Sequence, residues 1–213
     1  MYNTVMFDLD GTIIDSAEGI MNSFAYTFKR LGLPAVPRGE MGVFIGPPLE
    51  YSFETICGLG CEGAERAVKI YREYYREKGM YEIKVYEGAE DMLRGLKARG
   101  KRIVLATSKY EPYALRIIEN IGFAGYFDFA AGSLERGERG TKADVIEYAL
   151  ERTGTEKESA LMVGDRIHDI AGAREAGIDS VGALWGYGSR EELSGATYTA
   201  YVPAEILSIA CGE

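Results

Sequence analysis

Two carboxylates stand one residue apart early in the sequence, where an apolar run ends. The run is Thr4–Phe7, and the carboxylates are Asp8 and Asp10, followed by Gly11. A strand that ends in an Asp-Gly turn would explain part of this pattern, but a charge that ends a buried run is costly unless it is paired. Because open α/β sheets bind ligands at the carboxyl ends of their strands, the pair is a candidate reactive site.

A second pair of carboxylates, Asp165 and Asp169, follows the apolar run Ala160–Val163. A cap on the helix expected from Ile170 would account for Asp169 but leaves Asp165 unexplained. If the two apolar runs are neighbouring strands, three or four carboxylates converge, and their repulsion raises some of their pKa values unless a cation lies among them. Oxygen ligands without a cluster of histidine or cysteine suit Mg²⁺, so we predict a magnesium site.

Groups that could bind an anion follow a third apolar run, Arg102–Ala106. Thr107, Ser108 and Lys109 stand where we expect the chain to turn from a strand into a helix. Their side chains, with the exposed backbone N–H groups of such a turn, would form a phosphate site. A helix cap is the better explanation of these residues taken alone, so both interpretations stay open.

Lys142 is expected in the first turn of a helix whose capping box is Thr141 and Asp144. A cation there opposes the helix dipole by about 0.3–1 kcal/mol, so the fold itself would gain little from it. A solvated lysine could absorb that cost, whereas a bound anion nearby would make the lysine favourable. With a carboxylate nucleophile, a second carboxylate and a metal, this lysine would complete a phosphoryl-transfer site.

The elements that must position these residues appear as five short, almost continuously apolar runs, a pattern typical of strands buried on both faces. The runs are Thr4–Phe7, Arg102–Ala106, Phe127–Ala130, Ala160–Val163 and Ser180–Leu184. Helical patterns alternate with them, at Ala89–Arg99, Pro112–Ile121, Lys142–Arg152 and Ile170–Ala176. This alternation predicts an α/β protein with a Rossmann-like parallel sheet.

One section breaks the alternation. Between the first strand and the rest of the sheet the sequence contains only helical patterns, at Ala17–Leu31, Leu49–Cys57 and Ala64–Lys78. We therefore predict an α/β core domain from residues 1–15 and 85–213, and a small α-helical cap domain inserted after the first strand, at residues 16–84. Within the cap, Phe44–Leu49 is expected to be a loop that contacts the substrate, because Gly46 permits close approach.

Composition limits the classes of protein that need to be considered. The chain has 213 residues, of which 46% are hydrophobic and 27% charged, as in soluble globular proteins. A net charge of -9 argues against nucleic acid or a membrane as partner. The sequence shows no signal peptide, and an odd count of 3 cysteines suggests free thiols, so we expect a cytoplasmic monomer or homodimer.

These motifs together resemble those of the haloacid dehalogenase-like phosphatases. The first motif of that family is similar to the stretch Asp8–Thr12, and its second, third and fourth motifs are similar to Thr107, Lys142 and Gly164–Asp169. The nearer resemblance is to the phosphoglycolate phosphatase-like branch, which includes nucleotidases, through Phe44–Leu49 and Trp185–Ser189. The resemblance implies an α/β core with a helical cap inserted after the first motif.

The resemblance also implies a role for each motif residue. Asp8 would be the nucleophile that forms a phosphoaspartyl intermediate, and Asp10 would protonate the leaving oxygen and then activate water. Thr107 and Lys142 would hold the phosphoryl oxygens. Mg²⁺ would be held by Asp8, the backbone carbonyl of Asp10, and Asp165.

Asp169 would bind the metal directly or lie just behind its ligands. Two positions depart from the pattern of the family: Ser108 stands where many relatives carry Asn, and Lys142 is followed by Ala143 rather than Pro. Both departures leave the functional groups in place.

The sequence thus predicts an Mg²⁺-dependent phosphatase that hydrolyses a small phosphorylated metabolite, such as a phosphoglycolate-like compound or a nucleoside monophosphate. A phosphomutase, which returns the phosphoryl group to a sugar, is the alternative enzyme. A non-catalytic protein that binds a phosphorylated ligand is the alternative from another class. The presence of both Asp8 and Asp10 argues against it, because binding alone needs no nucleophile.

Overall fold

The computed structural model describes residues 1–47, 49–134 and 138–212. The chain divides into two compact units, one from Met1–Asp15 with Val85–Glu213 and the other from Ser16–Lys84. In the described part of the chain, every helix is too short or too polar to cross a bilayer.

The first unit is built on a parallel sheet. The strands of the chain are β1 (Thr4–Phe7), β2 (Ile14–Asp15), β3 (Lys84–Val85), β4 (Arg102–Tyr110), β5 (Phe129–Ser133), β6 (Ala160–Gly164), β7 (Asp179–Ala183) and β8 (Tyr198–Ala200). Six of them form one sheet in the order β5-β4-β1-β6-β7-β8, and each neighbouring pair is parallel. The predicted α/β fold with a parallel sheet is confirmed. The short strands β2 and β3 pair separately.

The position of β1 in the middle of the sheet explains its sequence. Every residue of β1 is buried, so no polar side chain can alternate with the apolar ones. Its two neighbours, β4 and β6, come from parts of the chain about 100 and 155 residues away. The sheet therefore brings the carboxyl ends of three distant segments to one edge.

The helices of the chain are α1 (Ala17–Leu31), α2 (Leu49–Tyr51), α3 (Gly60–Glu77), α4 (Ala89–Ala98), α5 (Glu111–Asn120), α6 (Lys142–Thr153), α7 (Ile167–Ala176) and α8 (Glu205–Cys211). The helix α6 buries Val145 and Ile146 in the same apolar core as Met6, Val104 and Met162 of the sheet. Short 3₁₀ turns lie at Arg38–Phe44, Gly79–Tyr81, Ala124–Tyr126 and Lys157–Ser159.

Several boundaries differ from those the sequence predicts. The strand β4 continues to Tyr110 instead of ending at Ala106, with an irregularity of register between these two residues. The helix α7 begins at Ile167 rather than Ile170. The elements β8 and α8 were not predicted, because β8 is an edge strand of only 3 residues, two of them exposed, and lacks a continuous apolar run.

The second unit, Ser16–Lys84, packs around aromatic side chains. The ring of Phe24 on α1 stacks on Phe44 at 4.4 Å and contacts Phe53 at 4.9 Å and Tyr71 of α3 at 5.0 Å. The stretch predicted as one helix, Leu49–Cys57, begins as α2 and continues as a π-helix over Ser52–Ile56. Pro48, which belongs to the loop predicted at Phe44–Leu49, lies outside the described residues.

Candidate active site

The register of the central strands brings the two acidic motifs together. Phe7 of β1 is paired with Val163 of β6, and the backbone N–H of Asp8 donates to the carbonyl of Val163 at 2.9 Å. Asp8 therefore lies beside Gly164, one residue before Asp165. The sequence predicted that the carboxylates converge if the two apolar runs are neighbouring strands, and β1 and β6 are neighbours.

A lysine lies at the centre of the converging carboxylates. The Nζ atom of Lys142 lies 2.7 Å from Oδ1 of Asp8 and 2.7 Å from Oδ1 of Asp169, and donates to the carbonyl of Ala106 at 3.1 Å. Only 4% of the lysine side chain is exposed, so both ion pairs are shielded from water. A Cβ atom at Gly172 of α7 would lie 2.8 Å from the lysine side chain, so the glycine leaves room for it.

The predicted capping box of α6 orients that lysine. The backbone N–H of Asp144 donates to the hydroxyl of Thr141 at 3.1 Å, and the N–H of Thr141 donates to the carboxylate of Asp144 at 2.9 Å. These two bonds fix the first turn of the helix, from which Lys142 extends into the site.

Asp165 is held from both sides. Its Oδ1 accepts a hydrogen bond from the hydroxyl of Thr12 at 3.1 Å, and its Oδ2 accepts one from the backbone N–H of Tyr187 at 2.8 Å. Gly11 has a φ of +82°, and a Cβ atom there would lie 2.1 Å from the Asp165 carboxylate. The glycine of the first motif is thus required by its backbone conformation and by the closeness of Asp165.

Asp169 lies at the start of α7. A cap on a helix beginning at Ile170 was one explanation of this residue, but α7 begins at Ile167, and Asp169 lies within its first turn. Its Oδ2 accepts a hydrogen bond from the backbone N–H of Arg166 at 3.0 Å, while its Oδ1 faces Lys142. One oxygen of this carboxylate therefore caps the start of α7, while the other faces the acidic cluster.

Burial and mutual repulsion raise the pKa values of Asp165 and Asp8. Burial, then the charges of Asp169 and Asp8, raise the pKa of Asp165 to about 8. Burial also raises the pKa of Asp8, although the nearby lysine ammonium opposes that rise. Burial alone would lower the pKa of Lys142, but the charges of Asp169 and Asp8 outweigh it and raise the pKa.

The cluster has the chemistry of a site for a hard divalent cation. Carboxylate oxygens of Asp8, Asp165 and Asp169 lie within 4.8 Å of one another, and all three residues are buried. One ammonium balances only part of their charge, which leaves an excess of negative charge in a buried region. The donors are all oxygen, which suits Mg²⁺ better than a softer metal.

Asp10 is not one of the three converging carboxylates. Its Oδ2 lies 2.5 Å from Nζ of Lys109. Its Oδ1 is buried and makes no hydrogen bond to any described residue. An orphaned buried oxygen is costly, so it indicates that a group absent from the protein chain completes the site.

The hydroxyl groups after Ala106 face different surroundings. Thr107 is buried, and its hydroxyl lowers the pKa of Asp8 through a hydrogen bond, whereas the side chain of Ser108 is exposed. Both residues belong to the extended end of β4 rather than to a turn into a helix.

Gly46 belongs to the second unit, where it has a φ of +107°. Its role in substrate binding stays a prediction.

The segment that follows β7, Trp185–Ser189, was noted in the sequence only for its resemblance to the phosphoglycolate phosphatase-like branch, and no role at the site was predicted for it. Trp185 and Tyr187 both lie in this segment, and each contacts the first motif or its neighbours: Trp185 Nε1 donates to the carbonyl of Thr12 at 3.0 Å. Tyr86 was also missed, and burial together with the charges of Asp15 and Asp165 raises its pKa. Because Trp185 and Tyr187 follow β7, the rule that ligands bind at the carboxyl ends of strands would have indicated this segment.

Comparisons with known proteins agree with this geometry. Residues 5–183 match the family model described as haloacid dehalogenase-like hydrolase. A 5'-nucleotidase of Pseudomonas aeruginosa is 38% identical over 192 residues, which cover 90% of this chain and 87% of the nucleotidase. The crystal structure of a predicted phosphatase from Clostridium acetobutylicum superposes with a TM-score of 0.94 at 40% identity, with 100% of both chains covered.

One group of relatives is longer than this chain. The tyrosine-protein kinase PtkA of Mycobacterium tuberculosis is 42% identical over 185 residues, which cover 86% of this chain. The match covers only 62% of the kinase, so the chain spans less than two thirds of that relative.

Proposed function

Because the chain belongs to the haloacid dehalogenase-like hydrolase family, we propose that it is a phosphatase that hydrolyses a phosphate monoester of a small metabolite. The observation that carries this proposal is the position of Lys142, whose ammonium lies 2.7 Å from both Asp8 and Asp169. A buried cation beside a carboxylate at a strand end is suited to hold a phosphoryl group against that carboxylate.

In the proposed reaction, an oxygen of Asp8 attacks phosphorus. A P–O bond to Asp8 forms as the bond to the leaving oxygen breaks, and Asp10 gives its proton to that oxygen. Asp10 then takes a proton from water, whose oxygen bonds to phosphorus as the phosphoaspartyl bond breaks. The products are an alcohol, inorganic phosphate and the original Asp8 carboxylate.

The surrounding residues stabilise the charge that develops on the phosphoryl oxygens. Lys142 and the hydroxyl of Thr107 would hold these oxygens, with Ser108 at the exposed side. The carboxylates of Asp8 and Asp165 and the backbone carbonyl of Asp10 would hold Mg²⁺, with Asp169 adjacent. The metal would neutralise the phosphate dianion as it meets the acidic cluster.

The substrate class is proposed from the family and from one relative. The resemblance to the phosphoglycolate phosphatase-like branch favours a phosphoglycolate-like compound, and the name of the Pseudomonas relative favours a nucleoside monophosphate. That residues 16–84 act as a cap, and that Gly46 and its neighbours select the substrate, stay predictions. Polar substitutions at Ile45 or Leu49 test this, because they should change the ranking of substrates more than the rate on p-nitrophenyl phosphate.

A second candidate function is transfer of the phosphoryl group to an acceptor other than water. The 42% identity to a protein named as a tyrosine-protein kinase favours a tyrosine hydroxyl as that acceptor, and a phosphomutase would instead use a sugar hydroxyl. The same carboxylate nucleophile could serve either reaction.

Two assays separate these possibilities. Release of inorganic phosphate is measured across a panel of phosphoglycolate, nucleoside monophosphates and sugar phosphates with Mg²⁺, and the purified protein is also incubated with radiolabelled ATP. Phosphate release from one substrate class, with no label on tyrosine, supports the phosphatase. Label on tyrosine, or isomerised sugar phosphate without phosphate release, contradicts it, and binding without turnover would leave only a ligand-binding protein.

A further inference from the structure

The segment after β7 is built against Asp165. The backbone N–H of Tyr187 donates to Oδ2 of Asp165 at 2.8 Å. A Cβ atom at Gly186 would lie 2.3 Å from Cβ of Asp165, and one at Gly188 would lie 2.0 Å from the Asp165 carbonyl oxygen. Glycine at both positions thus allows the segment, here called the 185–188 turn, to approach Asp165 closely enough for that N–H to reach it.

Side chains of the 185–188 turn tie it to two points of the first motif region. Trp185 Nε1 donates to the backbone carbonyl of Thr12 at 3.0 Å, and the hydroxyl of Tyr187 donates to Oδ1 of Asp15 at 2.8 Å. Thr12 in turn donates to Oδ1 of Asp165 at 3.1 Å. Each oxygen of the Asp165 carboxylate therefore accepts one hydrogen bond, from Thr12 or from Tyr187. The 185–188 turn contains one of these donors and binds the other through Trp185.

We propose that Tyr187 is a positioning residue for Asp165, and that it acts through the hydrogen bond of its hydroxyl to Asp15. The bond holds the 185–188 turn at the distance at which its N–H orients the Asp165 carboxylate. A carboxylate has about four acceptor sites, so one bond to each oxygen leaves others free for a cation. Residues that orient metal ligands in this way commonly affect metal affinity by about 10–100-fold. The inference rests on the metal part of the proposed function.

The position of Asp15 gives this bond a further meaning. Asp15 ends the first stretch of the first unit and is followed directly by Ser16, the first residue of the second unit. The support of Asp165 thus reaches the residue at which the chain passes into Ser16–Lys84. Because Asp15 belongs to β2, a shift of the β2 backbone should change the Mg²⁺ affinity through Tyr187.

The test uses the full chain and its single tryptophan. Because Trp185 belongs to the 185–188 turn, its fluorescence should report Mg²⁺ binding without any substrate. Mg²⁺ is titrated into wild type, Tyr187→Phe, Asp15→Ala and Asp15→Asn, and the half-saturating Mg²⁺ for hydrolysis of p-nitrophenyl phosphate is measured in parallel. Tyr201→Phe is the matched control, since the exposed Tyr201 lies outside the site.

We expect Tyr187→Phe and Asp15→Ala each to raise the half-saturating Mg²⁺ by about 3–10-fold, less than the loss of a direct partner of a metal ligand. Asp15→Asn keeps an acceptor oxygen and should resemble wild type. The double variant Tyr187→Phe with Asp15→Ala should bind Mg²⁺ no more weakly than Tyr187→Phe alone, because Tyr187→Phe already removes the bond to Asp15. The rate at saturating Mg²⁺ should stay near that of wild type.

Unchanged Mg²⁺ titrations for Tyr187→Phe and Asp15→Ala would overturn the inference, and so would a loss of rate at unchanged Mg²⁺ affinity. If Tyr187→Phe lowers the thermal stability, the comparison of Asp15→Ala with Asp15→Asn decides. A wild type whose fluorescence ignores Mg²⁺ overturns the inference as well. A wild type that binds Mg²⁺ but hydrolyses nothing refutes only the proposed function.

Discussion

The ammonium of Lys142 lies 2.7 Å from Oδ1 of Asp8, in a site where 4% of the lysine side chain and 11% of the aspartate side chain are exposed. A second carboxylate, Asp169, lies at the same distance from the ammonium. This geometry is compatible with two functions of the lysine. The lysine neutralises buried carboxylates in the folded chain, and we propose that it holds phosphoryl oxygens during the reaction.

Lys142→Met should lower kcat/KM by on the order of 10²–10³-fold, because it removes a buried charge that stabilises the transition state. The helix dipole alone predicts little effect on stability, but the two ion pairs change that expectation. Loss of the ammonium leaves two buried carboxylates without their partner, which costs stability at neutral pH in the absence of Mg²⁺. Steady-state kinetics and thermal unfolding measure the two effects, and normal kinetics in a destabilised protein would reduce Lys142 to a structural role.

Asp8→Asn should abolish turnover while the protein stays folded, because an amide cannot form the phosphoaspartyl bond. Asn keeps an oxygen acceptor for Lys142, and Lys142 keeps its pairing with Asp169. Phosphate release and acid trapping of the labelled phosphoenzyme are the measurements. Activity within about tenfold of wild type, at unchanged thermal stability, would disprove the role of Asp8 as nucleophile.

The raised pKa of Asp165 predicts how stability depends on pH without Mg²⁺. Between its ordinary value of 3.8 and about 8, the folded state holds a proton that the unfolded state has released. The free energy of unfolding should therefore fall as pH rises through this window, since stability rises with pH only where the unfolded state binds more protons. Denaturant unfolding with EDTA at several pH values measures this trend.

Mg²⁺ should oppose that trend, because it binds the ionised carboxylates of the folded state and competes with the proton. Asp165→Asn serves as the control, since it cannot ionise and should flatten both the pH dependence and the Mg²⁺ stabilisation. Full activity after exhaustive EDTA dialysis, or a stability that rises between these pH limits without metal, would contradict the assignment of the acidic cluster to Mg²⁺.

Lys109→Met should slow the hydrolysis of an alkyl phosphate more than that of p-nitrophenyl phosphate. The lysine contacts the Asp10 carboxylate, and a poor leaving group depends on Asp10 far more than nitrophenolate does. The ratio of the two kcat/KM values, with Lys109→Arg for comparison, is the measurement. An equal loss on both substrates, with weaker inhibition by inorganic phosphate, would instead support the sequence-based prediction that Lys109 binds the phosphate.

The residues of the first and fourth motifs could be identified from the sequence because each directly ends a buried apolar run. Their convergence could not, because it depends on β1 and β6 being neighbours, and strand order is a property of the whole sheet. The same limit applies to the contact of Lys109 with Asp10, which follows from β4 extending past Ala106. The prediction that Thr141 and Asp144 cap α6 succeeded because capping is local.

Elements that depend on tertiary packing were missed. The stretch that contains Tyr187 was noted only as a resemblance, because the contact of Tyr187 with Asp165 is made by a backbone N–H that any residue except proline carries. The π-helix at Ser52–Ile56 has the same apolar spacing as an α-helix, so the pattern predicted one continuous helix. The edge strand β8 has only 3 residues, too few to show the alternation of apolar and polar side chains that indicates a strand.

The central place of β1 also sets the order in which the protein can be completed during synthesis. The partner β6 begins at Ala160, more than 150 residues after β1, so at about 5–20 residues per second the ribosome delivers it about 8–30 s later. Until then Asp8 has no Asp165 beside it, although Lys142, which precedes Ala160 by 18 residues, has already been synthesised. The nascent chain therefore keeps at least one side of an apolar strand unpaired throughout this interval, and chaperones have this period in which to protect it.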